Sequence, residues 1–132
     1  MKTFVASLAL FLSVCTFVTV NTVFLDNTFE RIHERLDGLP DTPEETEELS
    51  EQDIRKVTEK LEKIEKDWKK REGYIYVTLE HSVAARFTEY FLPTKEYFVS
   101  GDYPSYLASL RTVKDIVKQF ETNEGISFEN VF

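Results

Sequence analysis

Two histidines, His33 and His81, and one cysteine, Cys15, are the side chains best suited to act as a neutral-pH base, a soft nucleophile or a metal ligand in this sequence. Neither histidine has the second histidine four residues away and the intervening glutamate of a helical zinc-protease motif. His33 lies among Glu30, Glu34 and Asp37, the setting of a surface histidine held by carboxylates. His81, between Glu80 and Ser82, falls where one helix closes and the next opens. Cys15 sits inside an apolar run, and no serine occupies the glycine-rich elbow of an activated nucleophile. Carboxylates are too numerous for any pair to be diagnostic, and the densest acidic stretch lacks the alternating Asp/Asn ligands and central glycine of a calcium loop. No glycine loop is built to cradle phosphate. The expectation is a protein that is not an enzyme, with no catalytic, metal or cofactor-binding residues.

The elements that would position such residues follow from composition. In 132 residues, 42% are hydrophobic and 30% charged, with 16 Lys and Arg against 24 Asp and Glu and a net charge of −8. That length holds one ordinary domain, the hydrophobic content exceeds that of a disordered polymer, and the negative balance argues against nucleic acid as a partner. One cysteine excludes an intramolecular disulfide framework.

From Thr3 to Leu25 no ionisable side chain occurs except Cys15, and a helix over these positions is roughly 34 Å long, enough to cross a bilayer core. Ser7, Ser13, Thr16, Thr19 and Thr22 can bond back to carbonyls one turn earlier, and Asn21 falls near the far interface. Residues 1–25 therefore read as an uncleaved signal-anchor contacting lipid through residues 3–25. A cleaved secretory signal, giving a secreted helical protein, is the main alternative. A lipoprotein at Cys15 is a lesser one, since Val14 stands where a small residue is wanted. Lys2 on the short side against Asp26 as the first charge on the long side puts the amino terminus in the cytoplasm and residues 26–132 outside. Lys2 is the one charge before Asp26, so the outer part carries −9.

Beyond the span, Leu25, Phe29, Ile32 and Leu36 form one helical stripe that Gly38 and Pro40 should end. Residues 37–53 form an acidic connector, in which Thr42-Pro43-Glu44-Glu45 can start a short helix and Ser50 a longer one. Ile54, Val57, Leu61, Ile64 and Trp68 make the strongest stripe, continued in phase by Glu72, Ile75 and Leu79. Its outer face pairs Glu59 with Lys63, Glu62 with Lys66 and Glu65 with Lys69. Ser82 should cap a helix carrying Phe87, Phe91 and Phe98, kinked at Pro93 and stopped by Gly101. Asp102 should cap the last helix, with Tyr106, Leu110, Val113, Val117 and Phe120 facing inward, and the tail 126–132 docking on the bundle. The fold expected is all-α: an N-terminal transmembrane helix continuing into an antiparallel bundle of about four helices.

Isolated markers on this frame carry a resemblance. The N-terminal anchor, Trp68 within a long helix, His81 at the following junction, the Gly101-Asp102 helix start and the closing Ser127-Phe128-Glu129-Asn130-Val131-Phe132 together resemble domain-of-unknown-function family 4363, small membrane-anchored proteins of spore-forming Gram-positive bacteria. Pro93 and the long acidic connector depart from it. The resemblance implies an all-helical outer domain and brings no activity and no functional residue.

Six tyrosines are concentrated between residues 74 and 106, and those left outside the core would form a docking patch. The candidate interaction surface is Trp68, Tyr74, Tyr76, His81, Tyr90, Tyr97 and Tyr103. The expected function is a membrane-tethered, extracytoplasmic binding or scaffolding module for an envelope or membrane protein. Alternatives are a ligand-sensing or solute-binding bundle, with Tyr and Phe lining a pocket between the last two helices, and a hydrolase using His81.

Overall fold

The computed structural model describes residues 1–78 and 81–129, with side chains described for 1–75 and 82–121. Five helices follow one another: α1 (Lys2–Asp37), α2 (Pro43–Glu47), α3 (Glu51–Thr78), α4 (His81–Ser100) and α5 (Tyr103–Glu129). No strand occurs among the described residues.

The helix boundaries follow from local chemistry. Thr42 Oγ1 accepts from the Glu45 amide, Pro43 supplies the first-turn φ, and the Glu45 carboxylate accepts from the Asp41 amide, so the start of α2 is closed from both sides. Ser50 and Asp53 close α3 reciprocally: the Asp53 amide donates to Ser50 Oγ at 3.1 Å, and the Ser50 amide donates to Asp53 Oδ2 at 3.1 Å. α4 ends on Gly101 at φ 80°, in the left-handed region. The Gly101 amide reaches Phe98 O and the Asp102 amide reaches Tyr97 O, the paired bonds of a Schellman motif. Asp102 then caps α5 by accepting from the Ser105 amide. One expected cap is displaced: α4 begins at His81, so Ser82 lies inside its first turn and does not precede it. Pro93 sits within the continuous α4. Next to it, the Thr94 and Ser109 hydroxyls both donate to the Tyr90 carbonyl, which ties α5 to α4 at this level.

Cross-links between helices fix their directions. Along α3, Lys60 meets Gly38, Asp67 pairs with Arg35, Arg71 reaches Thr28 and Tyr74 reaches Asn21, so α3 runs back down α1. Trp68 bonds Thr88 and Glu65 bonds Lys95, which turns α4 upward again. α5 descends, with Tyr106 at Pro40, Lys114 at Asp41 and Phe120 stacked on Phe29. α1 packs on α3 and α5, α3 on α4, and α4 on α5, giving an up-down-up-down four-helix ring with α2 laid on the upper part of α5.

The expected stripes are the core. Leu25, Phe29, Ile32 and Leu36 from α1 meet Val57, Leu61, Ile64, Trp68 and Ile75 from α3, Phe87, Phe91 and Phe98 from α4, and Tyr106, Leu110, Val113, Val117 and Phe120 from α5. Leu79 and residues 130–132 of the tail lie outside the described residues; the backbone of 126–129 is the last turn of α5.

Candidate functional site

α1 changes surroundings within one turn. Phe4, Leu8, Phe11, Val14, Phe17, Val20 and Val23 are exposed, whereas Leu25 is 2% and Phe29 0% exposed. The 36-residue helix contains an 18-residue window of mean hydropathy 2.2, none of it buried in the protein, and is long and apolar enough to cross a membrane. Its hydroxyls are satisfied internally: Ser13, Thr16, Thr19 and Thr22 donate to Ala9, Leu12, Cys15 and Val18 carbonyls at 2.8–2.9 Å.

Where the apolar half meets the bundle, α3 closes against α1. Tyr74 Oη donates to Asn21 Oδ1 at 2.6 Å, and its ring lies edge-on to Phe24 at 4.7 Å. One turn above, the Arg71 guanidinium donates to Thr28 Oγ1 at 2.8 Å and lies 5.5 Å over the Phe24 ring. The sequence pattern does not reveal this junction. Asn21 stands out as a polar residue near the interface, but Arg71 and Thr28 are 43 residues apart and periodicity assigns neither a neighbour.

Of the seven tyrosine, tryptophan and histidine candidates, the five with described side chains do not converge on one patch. Trp68 is 3% exposed, tilted against Phe87 at 4.3 Å, with Nε1 donating to Thr88 at 2.8 Å. It belongs to the core, because the α3 stripe carries it directly between α1 and α4. Tyr74 is 40% exposed at the lower end of α3. Tyr90 and Tyr97 are exposed two turns apart along α4. Tyr103 is partly buried against Phe98 at 5.6 Å. The side chains of Tyr76 and His81 lie outside the described residues. Between α4 and α5, where a ligand pocket lined by Tyr and Phe is the alternative expectation, Phe91, Phe98 and Tyr106 are fully buried, and the Phe98 and Tyr106 rings meet at 5.0 Å.

Charged side chains lace the helices together. His33 stands 3.1 Å from Asp37 and 3.4 Å from Glu121 of α5. Lys114 reaches Asp41 at 3.0 Å and Asp37 at 3.7 Å, and this lysine, by hydrogen bond and charge, holds the Asp41 carboxyl below its usual range. Lys114, Arg111 and Leu107 of α5 with Asp41 and Pro43 line an open groove of about 450 Å³. Tyr106 Oη donates to the Pro40 carbonyl at 2.8 Å, and burial, followed by the Asp41 and Glu45 charges, pushes its phenol above the ordinary range. Of the three acid-to-base pairs expected along α3, only Glu65 with Lys69 is within ion-pair distance. Glu65 is the mostly covered member because Lys95 of α4 also holds it, at 2.6 Å, whereas freely exposed pairs gain too little to offset side-chain entropy.

Lys95 first, then Lys69, lowers the Glu65 carboxyl below its ordinary 4.5. The stabilisation is therefore present above pH 4.5 and is lost as pH falls through the lowered value. Lys95→Met should lower the melting temperature at pH 7, by about 1 kcal/mol in stability, and the gap to wild type should shrink as pH falls below 4.5 in parallel thermal melts.

The family described as "Domain of unknown function (DUF4363)" matches residues 24–131, from the turn where α1 enters the bundle to near the end of the chain. This chain belongs to the DUF4363 family. No curated protein and no solved structure matches it. Within this DUF4363 chain the matched region comprises every buried core residue, and the wholly exposed apolar half of α1 precedes it.

Proposed function

We propose that this DUF4363 chain is a single-pass membrane protein, anchored through residues 3–25 with its amino terminus in the cytoplasm. The helical domain 26–132 is then an extracytoplasmic module that binds or scaffolds another envelope or membrane protein and performs no catalysis. One observation carries the anchoring: α1 passes without a break from an apolar stretch exposed over residues 1–20 into the core of the bundle. Retention of the segment is supported by the same continuity, since signal cleavage needs small residues flanking an accessible extended segment, and residues 2–37 are helical throughout. Orientation is supported by Lys2 before the span and Asp26 after it. The binding role is supported by tyrosines left on the α4 surface, Tyr90 and Tyr97, a residue type enriched at interfaces.

In intact cells a membrane-impermeant maleimide should label a cysteine placed at Tyr97 and leave Cys15 unlabelled, and the chain should resist alkaline carbonate extraction. Crosslinking from Tyr97 should recover one defined envelope protein. Release of a soluble chain lacking residues 1–25 would overturn the anchor, and crosslinks only to random neighbours would overturn the module.

A further inference from the structure

We infer that the lower end of α3, with Tyr74 at its centre, is itself a lipid-contacting surface: the Tyr74 ring seats in the glycerol and carbonyl zone of the outer leaflet that α1 leaves. The inference rests on the anchoring proposed above and adds a second contact between this chain and the bilayer. Height is the basis. α1 is one helix, so each residue adds about 1.5 Å along its axis, and an apolar run ending at Leu25 puts Asn21 to Leu25 at the edge of the hydrocarbon. Tyr74 is bonded to Asn21 at 2.6 Å and packed on Phe24 at 4.7 Å, so it stands at that same level while 40% of it remains exposed. An amphipathic ring is favoured there because its body leaves water while its hydroxyl keeps a polar partner, here Asn21.

Charge does not supply the attraction. On α1 and α3 near this end, three acidic groups, Asp26, Glu30 and Glu72, stand against three basic ones, Arg31, Lys70 and Arg71, so these two helices suit a zwitterionic interface as well as an anionic one. Arg71 braces the contact from above by tying α3 to Thr28 and covering Phe24. α1 and α3 thus both reach the bilayer, which limits the tilt of the bundle and holds the turn with α2 and the α4–α5 turn at the far end.

The test uses the full chain in nanodiscs of zwitterionic phospholipid. In a Cys15→Ser background, spin labels are placed through Phe11→Cys, Tyr74→Cys and Tyr97→Cys, and oxygen and nickel-chelate accessibilities are compared. The ratio of oxygen to nickel access should be highest at position 11, several-fold above position 97 at position 74, and unchanged when anionic lipid is added. Nickel access at 74 equal to that at 97, with 11 still deep, would overturn this inference and leave the anchor standing; loss of depth at 11 would overturn both. Shielding of 74 from both reagents would assign the surface to a second copy of the chain. Depth only with anionic lipid would put charge in control and also overturn it. Should Tyr74→Cys fold poorly, Tyr74→Trp retains the ring. Lipids brominated near the carbonyl should quench its added emission and spare Trp68, which lies about 9 Å higher on α3 and buried; equal quenching of the two would refute the placement.

Discussion

A chain beginning at Asn21 should fold into a cooperative helical domain, and a chain beginning at Gly38 should not. The difference is the second half of α1. Leu25, Phe29, Ile32 and Leu36 are all at most 4% exposed, and Phe29 stacks on Phe120 at 3.7 Å and meets Trp68 edge-on at 6.3 Å. Fully burying a side chain of this kind contributes about 1.5–3 kcal/mol, so losing four removes about as much as the 5–15 kcal/mol by which a whole domain is stable. The loss also uncovers Trp68 and Phe120 on the flank α1 had closed, and leaves Arg71 and Lys114 without Thr28 and Asp37. Starting at Asn21 retains those side chains and the Asn21 partner of the Tyr74 hydroxyl, while discarding only residues that are exposed. Circular dichroism should give a sigmoidal thermal transition for the longer form. The shorter should show weak helicity with a broad, non-cooperative loss. A sharp melt from the form beginning at Gly38 would mean that α3, α4 and α5 suffice, and that α1 is a tether resting against them.

Periodicity made the fold legible because each long helix buries one face only. Val57, Leu61, Ile64 and Trp68, or Tyr106, Leu110, Val113, Val117 and Phe120, are spaced by three and four, and each is buried. Helix ends were legible where a side chain has a local partner, as at Thr42, Ser50 and Asp102, and where glycine takes the left-handed turn, as at Gly101. Ser82 misled because a serine followed by apolar residues signals a cap whether the chain turns there or one residue earlier. Neighbours were not legible. A stripe says which face is inside, not which helix it meets, so the contacts of Arg71 with Thr28 and of Tyr106 with Pro40, 66 residues away, emerge only from the packed ring. For the same reason Trp68 looked available as an interface residue: its type favours interfaces and cores alike, and only the arrival of α4 decides between them. The lipid-facing level of Tyr74 depends on the register of α3 against α1, which no local pattern encodes.

Leu61→Asp should unfold the outer domain at neutral pH. Leu61 is 0% exposed, three residues before Ile64 and four after Val57 on the inward face of α3. The substitution loses about 1.5–3 kcal/mol of apolar burial, and a buried carboxylate with no cation in reach costs several kcal/mol more. Together these reach the total stability of a small domain. Lys63→Asp, two residues on and exposed, should shift stability by no more than about 0.5 kcal/mol, which separates burial from any effect of charge on the helix. Acid gives a second discriminant. A carboxyl buried without a partner has its folded value raised above the unfolded one, so the charge penalty is full above the folded value, relaxes as pH falls through it, and is gone below the unfolded value near 4. Measured against wild type at each pH, which removes the separate acid loss at Glu65, the gap should narrow as pH falls from 7 towards about 4 and then level off without closing, because a protonated Asp still leaves the space and the apolar contacts of leucine unfilled. A wild-type melt for Leu61→Asp at pH 7 would take α3 out of the core and, with it, the ring of four helices on which the position of Tyr74 depends.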